Sequence, residues 1–330
     1  MKKRNVITDL AIETHEMLCE EQDTSSIDGV CLKEQEFHNG EIKVVCVTIT
    51  NETGEASLGK PIGNYITIES QGVKTRDKTM HEEIIKVLAD TVGRLHNLND
   101  EGVVLVVGLG NRNVTPDALG PRSAEKMLVT RHLKNEGVIP AELAGKVRSI
   151  ASISPGVLGI TGIETYEIVK GVTDRIKPDL IIAIDALAAR EVSRINSTIQ
   201  ISDTGICPGA GMGNNRVELS EKTLGAKVLA IGVPTVVDAA TLVNDTLDGI
   251  LVNLAQESES GEPFYNSLKK LAAEEKYSLI LSALEPYDGN MFVTPKEVDD
   301  VVTDLSIIIA NGLNIALNNG ITKEDVWKYG

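Results

Sequence analysis

Two apolar runs, each followed by a carboxylate, constrain what this chain can fold into. The first is Val103-Val104-Leu105-Val106-Val107, followed by Gly108-Leu109-Gly110-Asn111 and, a few residues on, by Asp117. The second is Leu180-Ile181-Ile182-Ala183-Ile184, followed at once by Asp185. Each unbroken run reads as a strand buried on both faces, the pattern of a parallel sheet covered by helices on each side. In an open sheet of that kind, ligands bind at the carboxyl ends of the strands. Two acids brought to that edge from different strands point to an acid–base site.

The remaining pattern alternates strands and helices. Strands are expected at Ile42–Ile49, Tyr65–Ile68, 147–153, Thr198–Ser202 and Val228–Val233, besides the two runs above. Helices are expected at 122–135, 162–171 and Thr235–Leu254. A further helix over Thr79–Leu98 carries Ile84, Ile85, Leu88, Val92 and Leu95 at helical spacing, and Thr79 with Glu82 forms a capping-box pattern. A C-terminal helix is expected from Pro295 to about Leu317, with Val298, Val301, Val302, Leu305, Ile308, Ile309, Leu313 and Leu317 along one face. The stretch beginning at Asp185, Asp-Ala-Leu-Ala-Ala, is helix-like by composition. This order predicts an α/β fold, a mostly parallel sheet sandwiched between helices. Residues 1–40 are polar and acidic, and read as an N-terminal arm with a short helix at Ala11–Glu21. Residues 41–330 read as a single domain, with an irregular insertion near 256–290 in which Leu268–Leu284 is a helix followed by a short strand.

Charge and composition restrict the function. The net charge of −16 argues against a direct nucleic-acid or membrane binder, because phosphate contacts need clustered Lys and Arg. An aromatic content of 3% disfavours a stacking surface. Met1-Lys2-Lys3-Arg4-Asn5 is basic, but no apolar core follows it as in a secretory signal. No run approaches the ~18 apolar residues of a membrane span. The cysteines, Cys19, Cys31, Cys46 and Cys207, lack metal or redox spacing and read as reduced thiols. His15, His38, His81, His96 and His132 show no ligand spacing, so neither a metal nor another cofactor is expected.

Other motifs fail as signatures or have plain structural readings. Gly108-Leu109-Gly110 lacks the third glycine and the immediate helix start of a dinucleotide fingerprint, and there is no Gly-Lys-Ser/Thr or Gly-x-Ser-x-Gly. Asp117 alone could be a helix cap. Asp185 is harder to explain structurally, since a carboxylate among apolar residues is costly unless paired. Two neighbouring carboxylates split their pKa values, so one activates water while the other donates a proton. With a further ligand the same pair could hold a divalent ion. Gly108, Gly110 and Asn111 would shape the turn and offer N–H groups to an oxyanion. Thr161 and Glu164 are candidate substrate contacts, though Thr161 with Glu164 is also a good capping box. Cys207–Asn214 reads as a Gly-rich loop lining the site.

At these residues the chain resembles the germination proteases of spore-forming bacteria, which degrade small acid-soluble spore proteins. The resemblance runs through Val106–Pro121, Thr130–Leu133, Ser154–Thr165, Pro178–Arg190, Asn196–Gly205, Ile231–Ala239 and Met291–Asp299. It implies a fold similar to hydrogenase maturation proteases, an unconventional aspartic mechanism with catalytic Asp117 and Asp185, a homotetramer, and a place in the cytoplasm of the spore core. It also implies a zymogen that removes its own leader at a Thr-acid-apolar-Ala sequence. Thr8-Asp9-Leu10-Ala11 fits, placing the cut between Asp9 and Leu10 and the propeptide at residues 1–9. Recognition of an acid before the cut calls for basic groups, for which Arg131 and Arg190 are candidates. A metal-dependent maturation-type protease and a non-catalytic anion- or nucleotide-binding module stay open beside this reading.

Overall fold

A computed structural model describes residues 8–96, 98–209, 216–256, 273–284 and 291–322, with Asp325 and Lys328. Its centre is one sheet built from β1 (Val30–Phe37), β2 (Ile42–Ile49), β3 (Gly63–Glu69), β4 (Val103–Gly108), β5 (Ser149–Ile153), β6 (Leu180–Ala189), β7 (Thr198–Ser202), β8 (Lys227–Asp238) and β9 (Phe292–Val293). The strand order is β1-β2-β3-β7-β8-β6-β4-β5, with β9 pairing onto β8. The fold is α/β, as expected, but the sheet is mixed. Pairs β4–β5, β4–β6 and β6–β8 are parallel, while β1–β2, β2–β3, β3–β7, β7–β8 and β8–β9 are antiparallel.

The two apolar runs form the buried middle of the parallel part, β4 and β6. Their side chains alternate between two cores, as strand geometry requires. Val104, Val106, Ile182, Ile184, Leu229 and Ile231 face the helices Lys78–Leu95 and Val298–Leu317. Leu105, Val107, Ile181, Ala183 and Val228 face the opposite side, where Val169 of the helix Thr165–Ile176 covers them. The helix Val298–Leu317 is long and apolar enough to cross a membrane by length and composition, yet two thirds of it is buried within this molecule. Its Leu305 is fully buried. Leu305→Ala is expected to cost about 2–5 kcal/mol of stability, measurable by denaturant unfolding.

Several local expectations are corrected. Residues 185–189 continue β6 instead of starting a helix, and 235–238 continue β8, so the next helix begins at Ala239. The expected helix over 122–135 is two short ones, Leu119–Ala124 and Arg131–Glu136. The helix Lys78–Leu95 is capped not by Thr79 but by Asp77, whose Oδ1 accepts the N–H of Thr79 at 2.9 Å. Glu164, not Thr161, caps the helix Thr165–Ile176, paired with Glu167. The described part of the N-terminal arm is no loose appendage. The helix Ala11–Gln22 packs with Leu10, Ala11 and Ile12 buried against Val45, Val47, Ile49, Leu187 and Ala189, and β1 forms an edge of the sheet. Much of the expected insertion near 256–290 lies outside the described residues; within it, Ala273–Leu284 is a helix.

Candidate active site

The carboxyl ends of β4, β6 and β8 open onto a cavity of about 660 Å³ lined by Asp117 and Asp185. Close backbone contacts carry the Asp117 turn to that edge. Leu109 N–H donates to the Ile184 carbonyl at 2.8 Å, tying the residue after β4 to the middle of β6. Gly108 lies against the backbone of Gly120, and a Cβ on Gly120 would come within 2.2 Å of the Leu109 carbonyl oxygen. Gly110 has φ +109, and a Cβ there would meet the Asp117 carbonyl oxygen at 2.1 Å. Only glycine allows this turn to wrap around Asp117. A register shift between β6 and β8 leaves Thr235 as the extra residue, between the pairs Leu187↔Pro234 and Ala188↔Val236. A bulge of this kind re-aims one side chain. Here the Thr235 hydroxyl donates to the Pro116 carbonyl at 2.7 Å, next to Asp117.

The two acids sit in different environments. Asp117 Oδ2 accepts the N–H of Asn111 at 2.6 Å. Burial pushes its carboxyl above the usual range, opposed by that hydrogen bond and by the positive charge of Arg216. Asp185 is almost wholly buried, 5% exposed. Its Oδ1 accepts the N–H of Ala186 at 2.9 Å. Burial holds its carboxyl well above the usual carboxylate range, reinforced by the charges of Asp117 and Asp9. Burial raises both carboxyls, Asp185 lying deeper than Asp117, and an unequal pair of this kind suits acid–base chemistry.

The third acid in the cavity comes from the N-terminal segment. Asp9 N–H donates to the Ala188 carbonyl at 3.0 Å, and Asp9 Oδ2 accepts the Ala188 N–H at 2.8 Å. Beyond Ile184, β6 has no partner from β4, so this stretch of its edge is open to the incoming segment. The Asp9 carbonyl accepts from Lys60 Nζ at 2.9 Å and from Gln200 Nε2 at 3.1 Å. Burial raises the Asp9 carboxyl, against the Ala188 hydrogen bond and the charge of Lys60.

Of the residues singled out from the sequence, Asp9, Gly110, Asn111, Asp117 and Asp185 line this one cavity. Arg131, Thr161, Glu164 and Arg190 do not. Arg131 begins the helix Arg131–Glu136, and the Thr161 hydroxyl donates to the Val157 and Ile163 carbonyls. Arg190 gives its backbone N–H to Glu13 at 2.7 Å. The Asn111 N–H, a candidate oxyanion donor, is aimed at Asp117. Residues 210–214 of the Gly-rich loop lie outside the described residues, while Cys207, Pro208 and Gly209 line the cavity. Sequence reasoning missed Lys60, Gln200 and Arg216. Gln200 carries a signal, a polar side chain between two isoleucines of a strand; Lys60 and Arg216 carry none.

A family model described as germination protease matches residues 11–272 and 262–330. The germination protease of Clostridium tetani is 51% identical over 325 residues, covering 98% of this chain and 99% of that one. Those of Caldanaerobacter subterraneus and Bacillus subtilis are 48% and 44% identical, each over at least 96% of both chains. The chain belongs to the germination protease family. Its cavity is thus that of a peptidase family member.

Proposed function

We propose that this protease hydrolyses peptide bonds with the Asp117–Asp185 pair, cuts its own chain between Asp9 and Leu10, and then acts on small acid-soluble spore proteins during germination. The observation that carries this reading is the place of the Asp9–Leu10 peptide. Asp9, the acid of the Thr-acid-apolar-Ala sequence Thr8–Ala11, lines the cavity that both aspartates line, and its carbonyl is held by two side-chain donors. An intact segment seated this way is a substrate bound before cleavage.

The chemistry balances on the two acids alone. Ionised Asp117 takes one proton from water as its oxygen attacks the Asp9 carbonyl carbon. Protonated Asp185 gives its proton to the Leu10 nitrogen as the C–N bond breaks. The products are a carboxyl at Asp9 and an amine at Leu10, and the pair ends with its proton exchanged. Preference for an acid before the cut is supported by the Ala188 N–H and the nearby Lys60 charge, not by Arg131 or Arg190. A homotetramer in the spore-core cytoplasm belongs to the same proposal and rests on the family resemblance; sedimentation gives the mass.

Intact-mass measurement of the full chain, incubated with and without a chelator, tests the reading. A new N-terminus at Leu10 in both conditions is expected. A cut lost on chelation would transfer the chemistry to a divalent ion. No cut in either condition, with thermal stabilisation by nucleotide, would favour a binding module.

A further inference from the structure

Two residues on different elements meet at the carbonyl oxygen of Asp9, and neither belongs to the aspartate pair. Lys60 follows Gly59, whose left-handed conformation ends the helix Glu52–Leu58. Its Nζ lies 2.9 Å from the oxygen. Gln200 sits in the middle of β7, a strand buried along its whole length, and is 8% exposed. Its Nε2 lies 3.1 Å from the same oxygen, while its Oε1 accepts the N–H of Ala11 at 2.8 Å. One side-chain amide therefore grips the chain on both sides of the Asp9–Leu10 bond.

A buried amide is costly to leave unpaired. Among the described residues, both hydrogen-bond partners of the Gln200 amide lie on the N-terminal segment. When that segment leaves, a donor and an acceptor are vacated at a fixed spacing. Another extended chain can fill them by offering a carbonyl and, two residues later, an N–H. Lys60 adds a charge beside the donor. Burial lowers its pKa, opposed by the charges of Asp9 and Glu13. Among the turn N–H groups, that of Asn111 is committed to Asp117.

We infer that Lys60 and Gln200 form the carbonyl-binding half of the active site: Lys60 stabilises the negative charge that develops on the oxygen of the scissile carbonyl, and Gln200 sets the register of the chain. The assignment rests on the reading that Asp9–Leu10 is the bond the aspartates cut. Water attack converts the carbonyl oxygen to an oxyanion, and a charged donor already in place strengthens its hold as that charge grows. Neither residue gains or loses a proton; those transfers stay with Asp117 and Asp185. The substrate class follows. It is an extended polypeptide with an acid before the cut and a residue bearing an N–H at the second position after it, so proline is disfavoured there.

The test follows the full chain by intact mass and measures the first-order rate at which the Leu10 N-terminus forms. Lys60→Met is expected to slow it at least about 100-fold, the loss typical of one oxyanion donor, with Lys60→Arg recovering most of the rate. Ala11→Pro removes the N–H that Gln200 reads. Ala11 is the first residue of its helix, where the proline backbone is tolerated, and because its side chain is buried a thermal melt accompanies the rate measurement. That change is expected to slow cleavage about tenfold in the parent chain and to add nothing to Gln200→Leu. Wild-type rates in Lys60→Met, or independent multiplying effects of Ala11→Pro and Gln200→Leu, would overturn the assignment. If Lys60→Met does not fold, Lys60→Gln replaces it as the test of the charge, with wild-type rates again overturning the assignment. Asp185→Asn, run in parallel, separates the two readings. Cleavage that survives it but is lost in Lys60→Met sinks the aspartate pair and leaves the carbonyl site standing; the reverse sinks the carbonyl site only.

Discussion

Asp185→Asn is expected to cut the rate of cleavage after Asp9 by at least about 10³-fold while leaving the fold intact. The amide matches the carboxyl in shape and can still accept the Ala186 N–H, but it cannot deliver a proton to the leaving nitrogen. Its effect on stability has a definite sign. The folded pKa of Asp185 is raised, through burial first and the neighbouring Asp117 charge second. A raised carboxyl contributes stability that is fully present below its ordinary value, 3.8, and is lost as pH rises through the folded value. Each pKa unit of elevation corresponds to about 1.4 kcal/mol. Asn carries no charge at any pH, so the variant should match or exceed the parent in Tm at neutral and alkaline pH, the gap closing as pH falls. Parallel Tm–pH curves for the two proteins would show that Asp185 is not held protonated. The parent's cleavage rate should also fall on the alkaline side, where Asp185 loses the proton it must donate.

Gly120→Ala should destabilise the protein by about 3 kcal/mol or more and disable the site together with it. The new methyl would lie 2.2 Å from the Leu109 carbonyl oxygen, 2.4 Å from the Ile184 carbonyl oxygen and 2.6 Å from the Leu109 nitrogen. These are backbone atoms just past β4 and in the middle of β6, and no rotamer change relieves the clash. The helix Leu119–Ala124 would have to move, carrying the Asp117 turn away from Asp185. Gly159→Ala is the matched control. It sits in the short helix Leu158–Thr161 with nothing within 4 Å of the added carbon, so the change should be neutral or stabilising by up to about 1 kcal/mol. Denaturant unfolding of both variants checks the pair. A loss below 1 kcal/mol for Gly120→Ala would mean that Leu109 and Ile184 are not packed against that helix.

Much of the site could be read from the chain because its parts are short-range. Val103–Val107 and Leu180–Ile184 are strands by composition alone, and an acid just after each must arrive at the same sheet edge if the strands are parallel. Asp117 and Asp185 do so. Gly110 is similarly legible, since a glycine after a strand marks a turn that other residues cannot make. The errors fall where a distant partner overruled local preference. Asp185-Ala186-Leu187-Ala188-Ala189 has the composition of a helix, but β8 offers it a full ladder on one side and Asp9 bonds Ala188 on the other. Thr235–Asp238 has a helical composition too and is held as strand by β6 and β9. The antiparallel half of the sheet is not legible in the chain, because pairing direction depends on which strands become neighbours.

Contiguous residues carry the α/β class, the buried strands β4 and β6 and the two aspartates, since each has a physical period or a chemical cost that can be read locally. Long-range packing places residues 8–22 in the core instead of trailing from it, brings Asp9 into the cavity of Asp117 and Asp185, and sets Lys60 and Gln200 at its carbonyl. Those residues are 51 and 191 positions from Asp9. No local pattern can place side chains so far apart in sequence on one oxygen; the packing of the sheet and the helix Ala11–Gln22 does.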